Sequence, residues 1–489
     1  MTNRPLNEHP KKNPFALFLR RSFGPFFSTQ FLGACNDNIF KFAITLLITY
    51  QWRVQWLDPS LAGLTIGALF ILPFVLFSAL SGLLADQFNK TRILQGVKFL
   101  EFCIMALAYW GLTQQLPSLL MVCIFLMGLH STLFGPAKYA YLPTHLDTSE
   151  LIAANSIVEA GTFLAILLGN IIGGLLLSQD VGFLKMFEHA HSESLIAYVC
   201  LFLSLLGIAS SLCIPSSTLV DTPKREFALS PLLKQALHPL EQTLRSWRVA
   251  QRITGMNSAL YGISWMWFYG AVFLSLFPSL TKEALHANSD VASLLLVVFS
   301  VGIALGSLMC SLIHRPQFEL SPVLIGLLGM AAFTVDLAFA LTGLTHADSL
   351  WNLHLQVDTA SSPESKLLSL TQFIGSTGHM HALFDLTLLS VSIGLFSVPL
   401  YTFIQTRSAS ESCAQTVAAN NVMNAVFMIA SALLVGVLLS LGLSIEQVFL
   451  ILGLSNIFWL WYLTKLLPEL STHFFERIRE FITNFKNPF

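Results

Sequence analysis

Long apolar runs recur along the chain, separated by short polar connections. Roughly twelve of them reach the length of about 20 residues that crosses a bilayer as a helix. In order they are Phe23–Thr49, Ala62–Ala85, Ile93–Leu112, Leu119–Leu142, Ile152–Ser178, Leu195–Ile214, Ser258–Leu280, Val291–Ile313, Pro322–Gly343, Leu383–Thr406, Thr416–Leu443 and Gln447–Leu466. The pattern predicts an all-α polytopic membrane protein with 12 transmembrane helices. The first run breaks its own rule. Its segment Phe26–Tyr50, FFSTQFLGACNDNIFKFAITLLITY, carries Gln30, Asn36, Asp37, Asn38 and Lys41 where hydrocarbon is expected. A charge at that depth costs at least about 2.5 kcal/mol, so such residues face a partner or a watery cavity. Gln30, Gly33, Asp37 and Lys41 share one helical face, which predicts a polar stripe lining the inside of a bundle.

Composition agrees with this class and excludes a soluble enzyme: of 489 residues, 54% are hydrophobic and 11% charged. A net charge of −1 gives no reason to expect nucleic acid. The seven cysteines have no CxxC spacing and read as buried free thiols, so neither a metal nor any other cofactor is expected. The first run is too long for a signal-peptide core and has no cleavage pattern.

An even number of spans puts both termini on one side. Lys and Arg crowd the tails and the even-to-odd connections, led by Lys11, Lys12, Arg20, Arg21, Lys224, Arg225, Arg245, Arg248 and Arg252. That asymmetry predicts cytoplasmic termini, with Tyr50, Trp52 and Trp56 at the opposite interface. The expected organisation is a cytoplasmic tail (1–22), a six-helix half (23–214), a cytoplasmic connection (215–256), a second half (257–467) and a tail (468–489). The second half carries a periplasmic insertion at about 344–381, read as loop; it includes four histidines, but no metal-ligand spacing converges there. Leu233, Leu237, Leu240, Leu244 and Trp247 in the connection recur at helical spacing beside basic residues. So do Phe474, Ile478, Phe481 and Phe485 in the last tail, against Arg477, Arg479 and Lys486. Both predict helices on the membrane surface, with a partner-binding face as the alternative.

The halves repeat. AANSIVEA at Ala153–Ala160 returns as AANNVMNA at Ala418–Ala425, in the fifth and eleventh runs. Pro136 and Tyr139 precede the first copy, Pro399 and Tyr401 the second. Two six-helix halves related along the membrane normal make the major facilitator fold, whose cargo site lies between them near the midplane. The loop after the second run, GLLADQFNKTRIL, resembles that superfamily's signature loop, with Gly82, Asp86, Lys90 and Arg92 as the gating candidates. Gln87, Asn89 and Thr91 depart from its usual residues, which would weaken a gating pair around Asp86.

Candidate cargo or coupling residues are the intramembrane polar groups: Asn36, Asp37, Asn38 and Lys41; His130 and Lys138 on one ridge of the fourth run; Asn155 and Glu159 on the fifth; and their counterparts Asn420 and Asn424. Lys138 also fits a snorkelling interfacial lysine, and Glu159 a structural ion pair with Lys138 or Lys41. Gly169, Gly173 and Gly174 make a close-packing seam. Arg252, Asn257, Gln405, Arg407 and Asn421 are further polar candidates, Lys98 and Glu101 read as a local pair, and Asp336 falls on a peripheral helix.

QFLGACNDNIFKFA, GPAKYAYLP and AANSIVEAGTFLAILLGNIIGGLLL resemble the bacterial lysophospholipid transporters, in particular the transporter domain fused to 2-acylglycerophosphoethanolamine acyltransferase. GISWMWFYGAVFLSLFPSLTKEALH, VPLYTFIQTRS and AANNVMNA fit the same family. The resemblance implies inward movement of lysophospholipids, chiefly lysophosphatidylethanolamine, across a bacterial inner membrane for re-acylation. It also implies that Asp37, Lys138 and Glu159 match the family's charged positions. The chain has no His-x-x-x-x-Asp acyltransferase spacing, so any acyltransferase is expected to be a separate partner, and the transporter a monomer among membrane lipids. Two other readings stay open. One is a proton-coupled transporter of a small amphiphile such as a drug or siderophore, with Asp37 or Glu159 carrying the proton. The other is a membrane scaffold that holds an enzyme on its amphipathic segments. A membrane enzyme is not expected, since no nucleophile, base and orienting group recur at usable spacing.

Overall fold

The computed structural model describes residues 13–52, 54–178, 192–216, 239–313, 320–355 and 367–486. Among these, 12 helices are long and apolar enough to cross a bilayer. The first half consists of α1 (Gly24–Leu46), α2 (Ala62–Gln87), α3 (Lys90–Thr113), α4 (Pro117–His145), α5 (Leu151–Ser178) and α6 (Ser192–Leu212). The second consists of α7 (Met256–Ser279), α8 (Ser289–Ile313), α9 (Ser321–Leu355), α10 (Thr377–Arg407), α11 (Cys413–Ser440) and α12 (Ile445–Leu466). α1 and α7 each widen at their ends into a π-turn, Leu47–Gln51 and Leu280–Ala284. Local chemistry sets the boundaries. Pro117 opens α4, where its missing N–H costs nothing. The Asn89 side chain accepts the Arg92 N–H and caps α3, so a residue that departs from the signature loop serves as a helix cap. Ser444 and Gln447 close α12 with a reciprocal capping box.

The internal repeat governs the packing. Within the first half α1 meets α5 and α6, α2 meets α4, and α3 meets α4 and α6. Each pairing returns six helices later: α7 with α11 and α12, α8 with α10, and α9 with α10 and α12. The small-residue seam of α5 is real for two of its three glycines. A side chain at Gly169 would run into the Cys35 carbonyl and Asn38, and one at Gly173 into the Ile39 backbone, whereas Gly174 meets only the Phe42 ring.

Three expectations change. α9 does not end near residue 344 but continues to Leu355, and a one-turn helix, Leu370–Ile374, precedes α10; the stretch read as loop is helical at both ends. In the connection, Pro239–Gln251 is helical and Trp247 packs on the core, while Leu233, Leu237, Lys224 and Arg225 lie outside the described residues. The last helix, Glu469–Lys486, does not keep Arg477 on a free polar face. Its guanidinium donates to Ser321 Oγ (2.6 Å) and to the Ile313 carbonyl (2.8 Å), pinning the tail to the ends of α8 and α9. Lys11, Lys12 and the side chains of His346, His354, Phe481, Phe485 and Lys486 also lie outside the described residues.

The halves are joined at the membrane face that carries the ends of α2, α4 and α10 and the starts of α5 and α11, here the terminal face. Asp86, at the end of α2, accepts the backbone N–H groups of Ala414 and Gln415, both at 2.9 Å. The first turn of α11 has no other partner for those donors, and its dipole favours a carboxylate there. Gly82, one turn earlier, lies so close to Ala414 and Ala418 that any side chain would part α2 from α11. Nearby, Asn155 of α5 and Gln405 of α10 exchange amide hydrogen bonds of 2.6 and 3.1 Å, and Asn155 also donates to Thr402 Oγ1 (3.0 Å). Tyr139 and Tyr401, the two tyrosines of the sequence repeat, stack at 4.7 Å with their planes 4° apart. The terminal face is sealed by these contacts. Cys413 is buried beside Asp86 and reports on that seal. Asp86→Ala is expected to raise the alkylation rate of Cys413 several-fold, read residue by residue by mass spectrometry. An unchanged rate would mean that Asp86 does not hold the seal.

Candidate functional site

Above the seal the halves diverge around a cavity of about 400 Å³, within the usual range for small-molecule sites. Its charged lining comes from one half alone: Asp37 and Lys41 on α1, Lys98 on α3, Lys138 on α4 and Glu159 on α5. The second half offers Trp267, Tyr401, Asn421, Asn424, Ala425 and Met428, none of them charged. Phe70, Ile71 and Phe74 of α2 supply an apolar wall facing Ala425 and Met428 of α11.

The charges are held in two ways. Glu101 is fully buried and gathers three neighbours: Lys98 Nζ donates to it at 2.5 Å, Asn36 Nδ2 donates at 2.7 Å, and His130 Nε2 stands 3.2 Å away. Lys98 threads between Gly33 of α1 and Gly207 of α6; a side chain at Gly33 would run into its ammonium, whereas one at Gly207 would meet its stem at ordinary contact distance. On the other side of His130, Nδ1 is 4.0 Å from Asp37 Oδ1, and Ser131 Oγ donates to Asp37 Oδ2 at 2.5 Å. A chain of groups therefore runs Lys98–Glu101–His130–Asp37 from the bundle core to the cavity wall. Asp37 Oδ1 is buried and accepts no hydrogen bond from the described residues.

Lys41 and Lys138 are held differently. Lys41 Nζ lies 3.9 Å above the Phe70 ring and Lys138 Nζ 4.6 Å above the Tyr139 ring. Among the described residues neither ammonium has a carboxylate within 4.0 Å. The ion pair of Glu159 with Lys138 or Lys41 that the sequence allowed is therefore absent at that range. Glu159 Oε1 has no hydrogen-bond partner, with Lys138 and the Tyr139 hydroxyl its nearest polar influences. Lys41 and Lys138 thus line the cavity without a close carboxylate, and Asp37 and Glu159 line it with one oxygen each that accepts no hydrogen bond from the described residues. An ion left so in a low-dielectric setting favours a cargo of opposite charge.

Asp37, Asn38, Lys41, His130, Lys138, Glu159 and Asn424 are all brought to this cavity. Three other candidates are not. Asn36 is one residue, or about 100° of helix, from Asp37 and points to Glu101 instead. Asn155 is spent in the seal. Asn420 is buried away from the cavity, and Asn421, the next residue, takes the lining place against Gly135. Gly82 and Asp86 lie in the seal, Lys90 stands near Asp86, and Arg92 begins α3; none reaches the cavity. The Lys98–Glu101 pair is local, as its i, i+3 spacing suggests, but it is also the centre of a network across three helices, which spacing could not reveal. The usable signal was depth: two charges in the middle of an apolar run. Asp336 lies outside the cavity and meets His381 and Asp385.

The sequence profile described as Major Facilitator Superfamily matches residues 26–357. Over 152 residues, 31% of this chain, the sequence is 33% identical to the lysophospholipid transporter LplT of Escherichia coli (strain SE11), and the same holds for LplT of Shigella boydii. The match spans 36% of the length of these curated relatives. Among solved structures, the proton:xylose symporter XylE aligns with a TM-score of 0.66 at 13% identity, over 93% of this chain and 96% of its own. The human organic anion transporter MFSD10 aligns with a TM-score of 0.64 at 12% identity, over 90% and 99%. The Escherichia coli fucose:proton symporter FucP aligns with a TM-score of 0.62 at 13% identity, over 91% and 98%. At such identity these three speak to the fold.

The Lys98–Glu101 pair makes a direct test of the network. Removing one partner leaves a buried uncompensated charge, at a cost of about 3–5 kcal/mol. Glu101→Gln is expected to lower the unfolding temperature of the detergent-solubilised protein markedly. The double variant Lys98→Met with Glu101→Gln should recover most of the loss. A double variant no more stable than the single one would contradict this account of the pair.

Proposed function

The chain belongs to the Major Facilitator Superfamily, and from that premise we propose that it carries lysophospholipids, chiefly lysophosphatidylethanolamine, across a bacterial inner membrane by alternating access. The observation that carries this reading is the one-sided charge of the cavity. A lysophosphatidylethanolamine head is zwitterionic, with a phosphodiester anion a few bonds from an ammonium. Lys41 and Lys138 can receive the phosphate, while Asp37 Oδ1 and Glu159 Oε1 can receive the ammonium. The wall of Phe70, Ile71, Phe74, Ala425 and Met428 suits an acyl chain. Similarity to transporters named for lysophospholipids supports the cargo class.

With cytoplasmic termini, the sealed terminal face would be the cytoplasmic one and the cavity would receive cargo from the periplasmic leaflet. The head displaces water and gives each idle charge a partner, with attraction of about 4 kcal/mol per close pair at an effective dielectric constant near 20. One half then rocks against the other. Asp86 releases the start of α11, the Asn155–Gln405 exchange opens, and the cargo leaves toward a separate acyltransferase for re-acylation.

A second reading is a proton-coupled transporter of a small amphiphile. It is favoured by the Asp37–His130–Glu101 chain, whose steps of 4.0 and 3.2 Å connect the cavity with the bundle core. Uptake of labelled lysophosphatidylethanolamine into spheroplasts, with and without an uncoupler, separates the two. Losing one charge-assisted hydrogen bond costs about 1.5–3 kcal/mol, so Lys138→Gln and Glu159→Gln should each weaken apparent affinity about 10–100-fold. No uptake by the parent protein would overturn the lipid reading. Uptake that collapses on uncoupling and fails in Asp37→Asn would add proton coupling to it.

A further inference from the structure

We propose that Asp336, His381 and Asp385, brought together where α9 packs on α10, form a binding site for a divalent transition cation such as Zn²⁺ or Mn²⁺. The site lies on the outer flank of the second half and is separate from the cavity. One donor atom from each residue can be chosen so that all lie within 4.8 Å of one another. His381 Nε2 is 3.2 Å from Asp336 Oδ2 and 3.5 Å from Asp385 Oδ2. Ligands placed 2.0–2.2 Å from a tetrahedral cation stand about 3.3–3.6 Å apart, so both separations fit one ion with little movement.

The three side chains differ in a way that points to a ligand. The Asp385 side chain is 1% exposed, and its Oδ2 has no hydrogen-bond partner, although it faces the other two. Asp336 and His381 are 54% and 51% exposed and form the rim. An idle buried carboxylate oxygen at the floor and two accessible ligands above it make a tripod open on one side. Its surroundings are apolar: Phe339, Met380 and Phe384 are all exposed around it, as lipid-facing residues are. Two carboxylates there are costly, whereas two carboxylates, a neutral imidazole and a divalent cation sum to zero charge. The imidazole favours a transition ion over Mg²⁺ or Ca²⁺, which prefer an all-oxygen shell. Asp385 lies eight residues into α10, about 12 Å along its axis, so the ion can arrive from the face opposite the seal.

The test uses the full chain, stripped of metal, in lipid nanodiscs and titrated calorimetrically with ZnCl₂ and with MnCl₂. One saturable site per chain is expected for at least one of them, with a rise in unfolding temperature on binding. Asp385→Asn and His381→Gln should each weaken it at least tenfold. Asp336→Asn, at an exposed position that tolerates change, supplies an independent variant should either of the others fold poorly, as its metal-free unfolding temperature would reveal. Absence of saturable binding, or affinity in Asp336→Asn and the other folded variants equal to that of the parent, would overturn the proposal. So would MgCl₂ binding as tightly as either transition ion.

Discussion

An ammonium and a carboxylate stay in the hydrocarbon layer only when each holds the other or something equivalent, and the first six-helix bundle is built around one such pair. Lys98 and Glu101 neutralise each other at 2.5 Å, with Gly33 leaving the room that the ammonium needs. Asn36 and His130 occupy what remains of the Glu101 carboxylate, and His130 carries the network to Asp37 at the cavity wall. With Lys98 and Glu101 neutralised inside the bundle, the charges left over, on Lys41, Lys138, Asp37 and Glu159, can be displayed to a cargo rather than spent on each other.

The skeleton is nearly symmetric and the chemistry is not. Each main helix pairing of the first half has its counterpart in the second, yet the charged lining belongs entirely to the first. Where α5 has Glu159, α11 has Asn424, which accepts a hydrogen bond from Ser264. The second half offers a neutral, aromatic and amide surface against which a charged head and an apolar tail can both move without a competing ion. The seal uses the same division. Asp86, a charged side chain of the first half, meets uncharged backbone donors of the second, and Asn155 meets Gln405. Polar contacts of this kind exchange readily for water when the halves part, so the seal can be firm when shut and still open.

Much of this was legible in the sequence because hydrocarbon penalises polarity so heavily. Apolar length alone located the spans, and the AANSIVEA and AANNVMNA copies gave the two-half plan. Intramembrane charge singles out Asp37, Lys138 and Glu159, and all three line the cavity. Neighbours were harder to separate. Asn36 against Asp37 and Asn420 against Asn421 differ by one residue, and only the reach of Asn36 to Glu101 and the packing of α11 on α4 decide which one faces the cavity. Asn155 looked like a cargo ligand because it is polar and deep; its partner, Gln405, is 250 residues away and no local pattern joins them. The clustering of Asp336 with His381 and Asp385 was hidden for the same reason.

The central claim is that the charges of one half greet the cargo head in a cleft closed at the terminal face. A cryo-electron microscopy structure of the protein with lysophosphatidylethanolamine in nanodiscs tests it most directly. The account predicts the phosphate within hydrogen-bonding distance of Lys138 or Lys41, the ammonium near Asp37 or Glu159, and the acyl chain along Phe70 and Phe74. A head group seated outside the cavity, or held by the second half alone, would contradict it.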